Sequence, residues 1–126
     1  LVLRTSWVYS EYGHNFVKSM LKLGQEKNQI DMVQDQTGCP TYAGDLAQLL
    51  IDMLGKTTFP RGIFHYCGNT STSWHGFAEA VFHTAATLNP AFKTPLIACS
   101  IATKPAKSWV PLLPTGKKHS AAWCAN

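Results

Sequence analysis

Three observations in the 126-residue sequence predict an α/β fold. Short apolar, β-branched segments alternate with segments of helical apolar spacing. The strongest helical pattern, Ala43 to Leu54, lies between two such strand segments, as a right-handed crossover between parallel strands requires. Hydrophobic residues make up 45% of the chain, enough to supply a core for one domain.

Taken in order, Leu1 to Val8 reads as a buried strand that ends at a polar and aromatic turn, where α/β sheets usually present ligand-binding side chains. No phosphate-binding loop precedes it, so the chain reads as the second half of a larger fold. Tyr12-Gly13-His14-Asn15 is a loop whose Asn15 suits a helix N-cap. Phe16, Val17, Met20, Leu21 and Leu23 then follow helical spacing, and Gly24 is positioned to stop that helix. Ile30 to Val33 is a short alternating strand, with Ile30 and Met32 on one face. Gln34 to Pro40 is a loop punctuated by Gly38 and Pro40.

The Ala43 helix carries Leu46, Leu49, Leu50, Met53 and Leu54 on its apolar face. Asp45 lies in its first turn, where the helix dipole favours a carboxylate, and Gly55 ends it. Gly62 to Cys67 is a further strand. Ser73 caps a third helix in which Phe77, Val81, Phe82 and Ala85 share a face, with Gly76 at the position a capping-box glutamate would take. After Thr94 the periodicity fades. Leu96 to Ile101 has strand character, but the prolines at 105, 111 and 114 predict an irregular tail. The expected division is therefore one domain over residues 1–95 and a divergent tail over 96–126.

Composition excludes several classes of function. No apolar run reaches the roughly 20 residues of a membrane span, and Leu1 to Leu3 is too short for a signal peptide. A cytoplasmic location and no membrane partner are expected. The net charge of +4 comes from 11 basic and 7 acidic residues, the surplus falling late, at Lys93, Lys104, Lys107, Lys117 and Lys118. A solvated tail explains this more simply than a nucleic-acid surface, so no nucleic acid is expected. Cys39, Cys67, Cys99 and Cys124 are widely spaced without a Cys-x-x-Cys pair, which reads as reduced thiols, and no metal site is expected.

The blocks that carry chemistry occur in a fixed order. They are Arg4-Thr5-Ser6-Trp7-Val8-Tyr9, then Gly13 and Asn15-Phe16-Val17, then Asp35-Gln36-x-Gly38-x-Pro40-Thr41-Tyr42-Ala43 with Asp45-Leu46-Ala47. Gly62-Ile63-Phe64-His65 and Ser73-Trp74-x-x-Phe77-Ala78 follow. Over roughly residues 1–90 this ordered set resembles the C-terminal part of the dTDP-4-dehydrorhamnose reductase family, extended short-chain dehydrogenases/reductases. The resemblance implies the edge of a Rossmann-like sheet, made of two parallel strands with a crossover helix. It also implies a small substrate-binding subdomain and, in all, three main helices.

Members of that family reduce the 4-keto group of a dTDP-linked deoxysugar with NADPH or NADH. The resemblance implies that Trp7 lines the sugar pocket, with Arg4, Thr5 and Ser6 nearby and with Gln36, Pro40 and Thr41 in the pocket wall. Read from the residues alone, Trp7 could equally be a core aromatic, Thr5 and Ser6 could satisfy backbone groups, and the Asp35–Thr41 segment could be a turn scaffold.

Departures from the family pattern limit what the chain can do alone. Family catalysis uses a Tyr-x-x-x-Lys pair, in which tyrosine protonates the developing alkoxide. Here Tyr9, Tyr12, Tyr42 and Tyr66 are followed four residues later by Gly13, Phe16, Leu46 and Thr70. No glycine-rich dinucleotide loop is present either. No catalytic residue and no bound cofactor are therefore expected of these residues alone, and a dTDP-sugar is the expected, weakly held ligand. Pro105-Ala106-Lys107-Ser108-Trp109 replaces the family's Pro-x-x-Ala-x-Arg-Pro segment, as a frame-altered end would.

Losing the cofactor half would expose apolar faces of Leu1 to Val8 and of the Ala43 helix. A homodimer or higher oligomer is expected to cover them, and an oligomerising scaffold without catalysis is the alternative function.

Overall fold

The structure is a computed structural model, and it describes residues 1–58 and 61–100. Its elements are β1 (Val2–Arg4), β2 (Val8–Tyr9), α1 (Phe16–Glu26), β3 (Gln29–Val33), β4 (Thr37–Gly38) and β5 (Thr41–Tyr42). They continue with α2 (Ala43–Leu54), β6 (Ile63–His65), β7 (Thr72–Ser73), α3 (Trp74–Leu88) and β8 (Leu96–Ser100). Among the described residues the fold is α/β, with three helices and short, mostly parallel strand pairs. β1 pairs with β6, β2 with β5 and β3 with β8, all parallel, while β4 and β7 run antiparallel.

The core lies where α1, α3 and β3 meet. Met20 comes from α1, Ile30 from β3, and Phe77, Ala78, Val81 and Phe82 from α3. Burying an aromatic or long aliphatic side chain of this kind contributes about 1.5–3 kcal/mol each. Both helix starts follow the sequence. Asn15 Oδ1 accepts from Lys18 N–H at 3.2 Å, and Ser73 Oγ accepts from Gly76 N–H at 3.0 Å. Asp45 lies in the first turn of α2, and Gly55 caps its end.

Several expectations need correction. Gly24 does not stop α1, which runs on to Glu26. It is buried, and a Cβ there would come 2.9 Å from Phe82 Cε1 and 3.0 Å from Phe92 Cζ. The glycine thus serves the close approach of two phenyl rings, not a helix end. Leu1 to Val8 is not one buried strand. It breaks at Trp7, whose φ of 49° lies in the left-handed region, and β1 is largely exposed. The strand character of Leu96 to Ile101, by contrast, holds over Leu96–Ser100, a five-residue strand hydrogen-bonded to β3. The remaining tail, with its prolines, late lysines and altered motif, lies outside the described residues.

Cys39 is buried and disulfide-bonded, contrary to the expectation of a reduced thiol at that position, while Cys67 and Cys99 are in no disulfide, as expected. Spacing along a chain says little about pairing, which depends on which Cβ atoms come close in space. The first strand is largely exposed, whereas on the apolar face of the Ala43 helix Leu54 is exposed and Leu46, Leu49, Leu50 and Met53 are half-buried. α2 has no buried residue, Ile51 and Leu54 are 62% and 67% exposed, and Val2 and Ile63 lie side by side at 52% and 55%.

Candidate functional site

Three of the sequence blocks converge at the C-terminal end of β1. The backbone turns at Trp7, and Trp7 C=O accepts from Thr41 N–H at 3.1 Å, which opens the β2–β5 pairing. Ser6 Oγ reaches Cys39 C=O at 3.5 Å. The Gln34–Pro40 loop is thereby fastened beside the Arg4–Tyr9 segment. The antiparallel β4–β7 pair, Thr37 with Ser73 and Gly38 with Thr72, brings in the start of α3.

The indole of Trp7 lies at the centre of this junction. Trp74, the first residue of α3, stacks on it with ring centroids 3.6 Å apart and planes 13° from parallel. Phe16 from α1 packs on Trp74 at 4.7 Å and on Phe77 at 5.1 Å. Gly38 meets the same indole. A Cβ at Gly38 would be nearest Cε2 of Trp7 and 2.7 Å from each of its neighbours Cζ2 and Nε1. A point in the ring plane, outside the ring, would be nearer those neighbours than Cε2. The Cβ direction therefore strikes the ring from above. Since Trp74 fills one face, the Gly38 backbone lies against the other. Trp7 can meet a ligand only with its edge, and it is half-buried.

Beside this junction is an open cleft of about 340 Å³, within the size range of small-molecule sites. Tyr9, Tyr42 and Phe77 give it aromatic walls, and Asp45, Asn69, Thr70 and Thr72 give it polar ones. The lining holds one carboxylate and no cation, which suits hydroxyl groups better than a diphosphate. Tyr42 donates to the Glu11 carboxylate at 3.0 and 3.2 Å. That hydrogen bond and the negative charge of Glu11 hold the Tyr42 phenol above its ordinary value of 10.0.

Of the sequence-derived site residues, Pro40 lines the cleft. Thr41 is fully buried. Its Oγ1 accepts from Gly68 N–H and donates to Cys39 C=O, both at 3.2 Å, which is a scaffold role. Arg4 and Thr5 are exposed, Arg4 lying opposite His65 in the β1–β6 register. Gln36 is half-buried in the loop before β4. Sequence reasoning missed Trp74, Tyr9, Tyr42 and the Gly68–Thr70 loop as site-forming residues. For Trp74 a signal existed in the Ser-Trp-x-x-Phe-Ala block. Asn69-Thr70-Ser71 reads on its own only as a glycosylation triplet. Among the described residues, no three His, Cys, Asp or Glu side chains cluster to hold a metal, and no helix is long and apolar enough to cross a membrane.

Comparison with known proteins decides the family. The RmlD substrate binding domain family matches residues 1–112. The chain belongs to that family. The match runs beyond residue 90, so the family pattern includes β8 as well as the motif blocks.

Similar proteins carry consistent names. A dTDP-4-dehydrorhamnose reductase of Aggregatibacter actinomycetemcomitans is 42% identical over 101 residues, covering 77% of this chain and 34% of that protein. One from Sinorhizobium fredii is 46% identical over 86 residues, covering 64% and 29%. Among solved structures, the dTDP-4-dehydrorhamnose reductase of Bacillus anthracis in complex with NADP aligns with a TM-score of 0.69 and 35% identity. That alignment covers 79% of this chain and 32% of that one. This RmlD substrate binding domain thus spans about a third of the length of the relatives it matches.

Proposed function

We propose that these residues bind the sugar part of a dTDP-linked deoxysugar, as the substrate-binding portion of a dTDP-4-dehydrorhamnose reductase, and do not reduce it by themselves. The observation that carries this reading is the convergence of the Arg-Thr-Ser-Trp, Asp-Gln-x-Gly-x-Pro-Thr and Ser-Trp-x-x-Phe-Ala blocks around one indole. That indole adjoins a cleft whose walls are aromatic and whose polar groups are neutral or acidic. Aromatic walls match the apolar face of a deoxysugar, and Asp45, Asn69 and Thr70 offer partners for its hydroxyls.

Two features of the chain support the second part of this reading. It holds no Tyr-x-x-x-Lys pair to protonate the alkoxide. Its strand-to-helix turns also do not fit a nicotinamide dinucleotide, whose pyrophosphate needs glycine backbone opening onto a helix N-terminus. The β2–α1 turn has only Gly13, where a Cβ would meet nothing within 4 Å, so no closely lined backbone cradle forms there. Gly44 and Gly76, in the first turns of α2 and α3, are backed by the Tyr42 ring and Thr72 Oγ1.

Saturation-transfer NMR with dTDP-rhamnose tests the binding. Transfer to the deoxysugar protons is expected, and its absence at millimolar ligand contradicts the reading. NADPH consumption in the presence of the 4-keto sugar nucleotide tests the second part, where turnover by these residues alone contradicts it.

A second reading rests on the exposed apolar surface of β1, β6 and α2. Large exposed apolar patches on folded domains mark surfaces covered by association. In this reading the face is occupied by a further copy of the chain, and the retained fold serves as an oligomerising scaffold.

A further inference from the structure

We propose that Trp74 and Gly38 act as a clamp that fixes the position of the Trp7 indole beside the sugar cleft, so that both are positioning residues for ligand binding. This inference rests on the sugar-binding reading above and adds residues that reading does not need. Trp7 is held in an unfavourable backbone conformation, since a bulky side chain at φ 49° persists only where its surroundings over-determine it. Two contacts supply that determination. Trp74 covers one indole face at 3.6 Å, and the Gly38 backbone closes on the other, where no side chain fits. Each partner is anchored independently of Trp7. Trp74 begins a helix capped by Ser73 and packs on Phe16, and Gly38 is paired to Thr72 across the β4–β7 ladder.

Two consequences separate this clamp from ordinary packing. The first is spectroscopic. Two indoles stacked this closely couple their transitions, giving an exciton couplet in far-ultraviolet circular dichroism. Trp7→Phe and Trp74→Phe should each abolish the same couplet, and the double variant should remove nothing more. The second is functional. Gly38→Ala is permitted by the backbone, because Gly38 is outside the positive-φ region, but its Cβ would displace the indole. Gly38→Ala should therefore shrink the couplet with both indoles still present.

The test combines these spectra with dTDP-rhamnose affinity by calorimetry, in protein whose folded state is verified by its unfolding transition. Trp74→Leu and Gly38→Ala are expected to weaken binding about tenfold, the scale of a lost aromatic pair. Trp74→Phe, which keeps a stacking ring, should retain most of the affinity. Gly38→Ala carries the test if Trp74→Leu fails to fold. Unchanged affinity in folded Trp74→Leu and Gly38→Ala overturns the clamp while leaving sugar binding intact. A couplet that survives Trp7→Phe or Trp74→Phe overturns the pairing itself. A wild-type protein with the couplet but no affinity for dTDP-rhamnose overturns the sugar-binding reading, and the clamp's functional role with it.

Discussion

Thr41 belongs to a motif block that the resemblance assigns to the pocket wall, yet its hydroxyl is spent inside the protein. Thr41→Val separates the two roles. Valine fills the same volume, so no cavity opens, but the hydroxyl can no longer accept from Gly68 N–H or donate to Cys39 C=O, each at 3.2 Å. Leaving a buried donor unpaired costs about 1–3 kcal/mol. Gly68 is only half-buried, which places its share toward the lower end. The Cys39 carbonyl keeps Ser6 Oγ at 3.5 Å, so its loss is partial. The expected total is about 2 kcal/mol, roughly a thirtyfold fall in the folded-to-unfolded ratio. Thr41→Ser keeps the hydroxyl and loses one buried methyl, costing about 1 kcal/mol. Urea unfolding measures both, and an unchanged m-value shows that the unfolded state is the same. Thr41→Val within about 0.5 kcal/mol of wild type would refute the scaffold role. So would unchanged stability combined with lost dTDP-rhamnose binding.

Gly24→Ala should destabilise the protein by about 1 kcal/mol in the same assay, although alanine gains about 1 kcal/mol of helix propensity. Its Cβ would strike Phe82, which is 1% exposed and cannot withdraw, and a stabilised variant would contradict that packing. Glu11→Gln should lower the Tyr42 ionisation toward its ordinary value of 10.0, read by ultraviolet tyrosinate titration, and no movement would contradict the hydrogen bond. Because the folded-state value is raised, the Tyr42 contribution to stability is complete below pH 10.0 and is lost as pH rises through the folded value, a loss that Glu11→Gln should diminish. Sedimentation of the 126 residues should show self-association that Ile51→Glu with Ile63→Glu weakens, and a monodisperse wild-type monomer would contradict the scaffold reading.

Local rules made much of the fold legible. Asn15 and Ser73 announce two helix starts because a cap is a bond between near neighbours, and the Ala43 helix shows its apolar period. Failures occur where distant groups decide. Gly24 looks like a helix stop until two phenyl rings from α3 and the segment after it are packed on it. Leu1 to Val8 looks continuous, yet the backbone turns at Trp7, whose indole stacks on Trp74 from 67 residues away. The apolar period of the Ala43 helix says where its apolar face lies and not what meets it, and Leu46, Leu49, Leu50 and Met53 end half-buried. At the site, the motif blocks identified the loops that meet, while individual roles depended on contacts across 30 to 70 residues. Ser6 with Cys39 and Trp7 with Trp74 are examples. Tyr42 and the Gly68–Thr70 loop were silent because a cleft wall has no sequence period.

Calorimetric titration with dTDP-rhamnose, dTDP and NADPH in separate runs separates sugar binding from cofactor binding. dTDP-rhamnose is expected to bind, Trp7→Ala to abolish this binding, and NADPH to give no heat of association. Binding of NADPH, or no binding of dTDP-rhamnose to folded wild-type protein, would contradict the proposed function.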